Sequence, residues 1–158
     1  MFQERTQDYF RNQRPSGFPA LAMSNPRIFD VDEANRMIKR VSPLVAEIRE
    51  KHRRVQAEHD QVLILDLLSG GEGMNYDSKE GREYVERSRH LEEQIQSFQE
   101  DIIKINRLGC VLKDINRGLV DFFHVHGKEL VYLCWMYGED QIKYWHNIDG
   151  DFENRKKI

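Results

Sequence analysis

The sequence predicts an α+β fold that is mainly α: a long antiparallel helical hairpin, coiled-coil-like, followed by a small three-stranded antiparallel sheet. Three observations predict it. Apolar residues recur every three or four positions over most of residues 34 to 105. A glycine-rich stretch, Ser69-Gly70-Gly71-Glu72-Gly73, divides that pattern in two. Beyond Gly109 the period falls from helical to alternating, and both tryptophans, both cysteines and three of the six histidines lie there.

Residues 1 to 27 hold three of the four prolines and no sustained period. They read as a flexible N-terminal extension, with Phe2, Tyr9, Phe10 and Phe18 scattered along it. A single domain is expected over residues 28 to 155, with the hairpin in 28 to 109 and a β-meander in 110 to 155. Asp30 with Glu33 makes a capping-box start, and Phe29 is placed to staple onto Ala34. Ala34, Met37, Ile38 and Val41 follow at helical spacing. Ser42-Pro43 then predicts a break, because proline lacks the amide proton and its ring crowds the preceding turn. Residues 44 to 68 continue as one helix whose seam is Val45, Ile48, His52, Val55, His59 and Val62. After the glycines, Asp77 with Glu80 predicts the next start. The second seam runs Tyr84, Ser88, Leu91, Ile95, Phe98, Ile102 and Ile105, and Gly109 stops it. A short loop between helices of about 25 and 30 residues, each on the order of 40 Å long, requires them to run antiparallel.

Leu119-Val120-Asp121-Phe122-Phe123-His124-Val125 then reads as a strand. Either His126-Gly127 or Gly127-Lys128 supplies the tight turn. Glu129-Leu130-Val131-Tyr132-Leu133-Cys134-Trp135 returns, Tyr137-Gly138-Glu139 turns again, and Gln141-Ile142-Lys143-Tyr144-Trp145-His146 is the third strand. Both faces of this meander are apolar. The hairpin can cover one of them, so the other is expected to seek a partner.

Several of these stretches resemble one prokaryotic family. They are Phe29-Asp30-Val31-Asp32-Glu33-Ala34-Asn35, the run from Gly109 through Leu112-Lys113-Asp114 to Gly118-Leu119-Val120-Asp121-Phe122, and a C-terminal string. In that string the matching residues are Leu133-Cys134-Trp135, Gly138-Glu139, Tyr144-Trp145-His146, and residues 150 to 152. The family is an uncharacterised group known as domain-of-unknown-function family 2203. The sequence departs from its pattern at Phe123, where the family has proline, and at Asn154-Arg155-Lys156-Lys157. The resemblance implies a domain over residues 28 to 155 and implies no activity.

With 158 residues and a net charge of −3, the chain offers a polyanion no general attraction, which argues against nucleic acid as the partner. The clusters Lys51-His52-Arg53-Arg54 and Arg155-Lys156-Lys157 read as a solvated helix face and a tail. Two cysteines without C-x-x-C spacing fit a reducing, cytoplasmic setting, and no apolar run reaches signal-peptide or membrane-spanning length.

Candidate chemistry centres on the meander. With His126-Gly127 as the turn, His124 pairs with Glu129, and Glu129 pairs in turn with His146. That trio is a partial ligand set for Zn²⁺ or another divalent ion. It depends on register, since a shift of one residue sends the side chains to opposite faces. Cys134 with His146 is a second candidate, a thiol and its base, set against an inert thiol in an apolar strand. The tail from Asn147 to Glu153 imitates a calcium loop through Asp149 and Asp151, but Phe152 stands where such a loop demands glycine. His52 and His59 face the partner helix and read first as seam residues. The functional expectation is a non-enzymatic cytoplasmic protein acting through protein contacts, as a homo-oligomer or with a protein partner. The alternative is a small divalent-metal-binding protein, hydrolytic in its strongest form, using His124, Glu129 and His146.

Overall fold

The computed structural model of the protein describes residues 27 to 70 and 73 to 158; the expected N-terminal extension, Phe2, Tyr9, Phe10 and Phe18 included, lies outside these residues apart from Arg27. Two helices, α1 (Val31–Leu68) and α2 (Lys79–Arg107), precede five strands: β1 (Cys110–Asp114), β2 (Leu119–His126), β3 (Glu129–Met136), β4 (Tyr144–Asn147) and β5 (Lys156–Lys157). A 3₁₀ turn, Phe152–Asn154, leads into β5.

The helices start and stop for local reasons. Asp30 caps α1, its Oδ1 accepting from the Glu33 amide at 2.6 Å. The cap of α2 is Ser78 rather than the expected Asp77: Ser78 Oγ accepts from the Gly81 amide at 3.0 Å. Gly81 explains the shift, because a Cβ there would stand 2.2 Å from the Asn75 carbonyl oxygen, so only glycine lets the helix begin this close to the loop. Gly109 terminates α2 with φ 89°.

The predicted break at Ser42-Pro43 does not divide α1, which continues through Pro43. Proline removes one hydrogen bond there, but Val41 and Val45 on either side are fully buried and hold both turns against the core. Pro43 itself points to solvent.

α1 and α2 run antiparallel, since Lys51 pairs with Asp101 near one end while Glu58 meets Arg87 at 3.1 Å farther along. His52 stacks on Phe98, ring centroids 5.7 Å apart, inside this seam. The main core lies where the near end of the hairpin meets the sheet. Phe29, Val41, Val45 and Ile48 pack there with Phe98, Ile105, Phe122, Leu133 and Trp135. A smaller cluster, Val55, Val62 and Leu91, lies farther out.

The sheet corrects the expectation of three strands: five run in the order β1-β2-β3-β4-β5, every neighbour antiparallel. The two strands not foreseen are short edges. β1 shifts register between Leu112 and Asp114, and β5 is two lysines in a tail that reads as solvated. Edge pairing draws on backbone groups and leaves no side-chain period over so few residues. The third expected strand starts at Tyr144 rather than Gln141, because the Ile142 amide donates to Asn35 Oδ1 at 2.7 Å and ties that segment to α1.

The second sheet face is not left bare as expected. Leu119, Tyr132 and Cys134 alternate with the helix-facing residues and are still buried. The chain after β4 folds back over them, bringing Gly150 and Phe152 to the same cleft as Leu119 and Cys134. Arg155 lies on the Tyr144 ring at 4.6 Å and on the Phe152 ring at 3.6 Å, fastening this cover. Only toward the β2–β3 turn do Val125 and Leu130 stay exposed on that face.

Candidate functional site

Gly127-Lys128 forms the β2–β3 turn, so His126 pairs with Glu129 and the register continues to Asp121 opposite Cys134. Gly127 has φ 65°, the positive value that a type II′ turn needs at its first central position, and lysine follows without strain. On the other side of β3, Cys134 pairs with Tyr144 and Tyr132 with His146. His146 is therefore one diagonal step from Cys134 on the same face. Asp121, Cys134 and His146 converge there, each no more than 3 % exposed, with one ligand atom apiece within 4.8 Å of the others.

The ring of His146 is held from both sides. Its Nδ1 stands 2.8 Å from the Asn147 carbonyl oxygen, which can only accept, so Nδ1 carries a proton. Its Nε2 stands 3.1 Å from Asp121 Oδ2. Burial pulls the pKa of His146 down, but the hydrogen bond and charge of Asp121 and the Asn147 carbonyl outweigh it, and the net shift is upward. Cys134 is shifted upward too, first by burial and then by the Asp121 charge, so it is a neutral thiol. Asp121 Oδ1 is buried with no hydrogen-bond partner among the described residues. Such an orphaned acceptor costs free energy unless something else satisfies it.

The trio opens onto a cleft of about 350 Å³ between the sheet and the C-terminal cover. Leu119 and Phe152 give it apolar walls, and Lys113 and Arg117 bring cationic groups to it. Lys113 Nζ rests 4.5 Å from the centre of the Tyr132 ring, which is itself 5.5 Å from the His146 ring.

The structure separates the residues that the sequence grouped as metal ligands. His124 pairs with Val131, and its Nδ1 donates to the Phe29 carbonyl at 2.8 Å, where the chain enters α1. Glu129 is exposed beside the turn, opposite His126. Of the three, His146 alone reaches the second-face cleft: it pairs with Tyr132 rather than Glu129, an odd shift along β3 that puts it on the face opposite to His124 and Glu129. The pairing of Cys134 with His146 does occur in space, but burial keeps Cys134 a neutral thiol, which is a poor nucleophile. Asp151 lines the cleft, its Oδ1 accepting from Asn154 Nδ2 at 2.6 Å; Asp149 stays in the turn after β4. His52 is buried in the helix seam with Nε2 unpartnered, and His59 is half-buried beside Asp60 at 3.8 Å. Asp121 escaped the sequence reading as a site residue. Its signal was present, since an acid inside Leu119-Val120-Asp121-Phe122 can be buried only if something pairs with it.

Cys134, Tyr144, His146, Gly150 and Phe152, all in stretches that carry the family resemblance, are thus parts of one cleft or its cover. No curated protein and no solved structure matches the chain. The sequence matches an uncharacterised conserved protein family, DUF2203, over residues 27–158. The chain belongs to that family, and its conserved-family span coincides with the helical hairpin and the whole five-stranded sheet.

Proposed function

We propose that the protein binds a divalent transition metal of the zinc type through Asp121 Oδ1, Cys134 Sγ and His146 Nε2. The observation that carries the reading is the convergence of three buried donors of oxygen, sulfur and nitrogen on one sheet face. A sulfur–nitrogen–oxygen set favours a borderline ion over magnesium or calcium. Ligand atoms around tetrahedral zinc stand roughly 3.5 Å apart, so small side-chain rotations within the present spacing suffice. Two further features support it. Asp121 Oδ1 gains a partner when the ion binds. His146 already donates its other ring proton to a backbone carbonyl, the orientation device usual for metal-bound histidine. Three protein ligands would leave a fourth position for water or a ligand, and all three residues line the cleft.

Metal analysis of protein purified without an affinity tag tests this. About one equivalent of zinc per chain is expected, retained through dialysis and lost on Cys134→Ala and on His146→Gln, with the helical circular dichroism of both variants preserved. Absence of zinc after incubation with equimolar metal overturns it.

A second reading keeps the protein-contact role, and a specific observation favours it. Leu67 and Leu68 are each 79 % exposed at the outer end of α1, with Leu63 and Ile64 beside them half in solvent. Light scattering on the wild type and on a Leu67→Ser/Leu68→Ser double variant tests it: concentration-dependent association that the variant abolishes is expected, and a strict monomer at millimolar concentration overturns it. A cytoplasmic location belongs to this proposal as well, on the strength of two free, buried thiols. No helix among the described residues is long and apolar enough to cross a membrane.

A further inference from the structure

The charges around the cleft do not cancel evenly. Asp114 Oδ1 accepts from the Arg117 amide at 2.9 Å, and its Oδ2 is 3.9 Å from Arg117 Nε. Glu153 Oε1 is 3.7 Å from Arg117 Nη1. Asp151 is taken by Asn154 Nδ2. Each acid at the cleft mouth therefore has an intramolecular partner, and Arg117 is shared between two of them. Lys113 has no ion pair among the described residues, and its Nζ lies over the face of the Tyr132 ring. A divalent ion on Asp121, Cys134 as thiolate and neutral His146 brings that trio to neutrality. Lys113, which lines the same cleft as the trio, is then the unspent charge.

We propose that the cleft binds a small organic anion, a carboxylate or phosphate with an apolar body, whose oxygen takes the open metal position while Lys113 Nζ holds its charge; this rests on the metal reading above. The walls match such a molecule. Leu119 and Phe152 supply apolar contact, and about 350 Å³ lies at the lower end of the range for small-molecule pockets. Phe152 is in contact with two guanidinium groups, Arg117 at 4.8 Å and Arg155 at 3.6 Å from its ring centre, which hold this wall in place. Lys113 is on β1 between Leu112, buried in the main core, and Asp114, which anchors the next turn, so its backbone is fixed while its side chain spans the second face. A single lysine beside a metal positions an anion by charge rather than by fixed geometry, which suits a range of carboxylates or phosphates better than one shape.

The test uses the full-length protein loaded with Co²⁺, whose visible bands report ligand exchange at the metal. Benzoate, acetate and inorganic phosphate are titrated separately. Benzoate or phosphate is expected to change the bands saturably, benzoate more tightly than acetate if the apolar walls contribute. Lys113→Gln is expected to weaken the binding by about tenfold to a hundredfold, the usual worth of a hydrogen bond to a charged group, with the ligand-free cobalt spectrum unchanged. A saturable response to benzoate alone assigns a carboxylate, and one to phosphate alone a phosphoryl group; either supports the proposal. Cobalt bands that form normally and ignore all three anions overturn it while leaving the metal site standing, as does an affinity untouched by Lys113→Gln. Failure of the cobalt bands to appear at all overturns both.

Discussion

His146 and His52 are both almost fully buried, yet they respond to protons in opposite senses. His146 has acceptors at both ring nitrogens, and its pKa is raised against the opposing effect of burial. A group whose folded pKa is above its unfolded value of about 6.5 stabilises the fold fully below that value, and this contribution is lost as pH rises through the folded pKa. His52 stacks on Phe98 with Nε2 unpartnered, and burial alone lowers its pKa. Its contribution is present above about 6.5 and is lost as pH falls through the folded value. In metal-free protein, the stability advantage of wild type over His146→Gln should therefore be largest in mild acid and shrink as pH rises above 6.5. The His52→Leu variant should lose less stability than wild type between neutral and acidic pH. Urea midpoints across a pH series check both, and slopes of the reverse sign would refute the assignment.

At the scale of elements, α1 tolerates a proline that should have ended it. Pro43 is exposed, so replacing it removes no packing, while alanine restores a backbone hydrogen bond and helical propensity. Proline also restrains the unfolded chain, which offsets part of the gain. Pro43→Ala is expected to stabilise the protein by about 1–2 kcal/mol, read as a rise in thermal midpoint of several degrees. A neutral or destabilising result would mean that the helix bends at this turn to fit the core. The hairpin β2–β3 shows the converse case, an element whose identity was legible while its register was not. Both candidate turns contain Gly127, and the two alternatives differ by one residue. That single step decides whether Glu129 or Val131 faces His124, and whether Tyr132 or Cys134 faces Asp121. Glycine at the first turn position matches the right-handed twist of the strands, which is why Gly127-Lys128 prevails. β1 and β5 were illegible for another reason, since a strand of two to five residues at a sheet edge is specified by its neighbour's free backbone groups more than by its own side chains.

Over the whole molecule, stability is distributed unevenly along the hairpin. The main core joins α1, α2 and the sheet at one end, whereas the outer half of the hairpin rests on Val55, Val62 and Leu91. Amide hydrogen exchange should therefore show residues 60 to 68 and 79 to 88 opening at a lower free energy than residues 34 to 48 and 119 to 135. Uniform protection along both helices would contradict this gradient. Covering of the sheet's second face by the chain's own C-terminal segment also shifts the argument about assembly. The large two-faced sheet no longer demands a partner, and what apolar surface is left lies mainly at the far tip, at Leu67 and Leu68.

From the amino-acid order alone follow the two helices, the capping of α1 by Asp30, the stop at Gly109, the change to strands beyond it and the family. Each depends on period or on a residue's local backbone preference, which the chain carries with it wherever it folds. Only the tertiary structure decided which side chains meet across β2, β3 and β4, because a ladder's register is a relation between distant segments. Asp121, Cys134 and His146 come together through that register and are sealed by a tail whose packing against Tyr144 and Phe152 no local pattern announces.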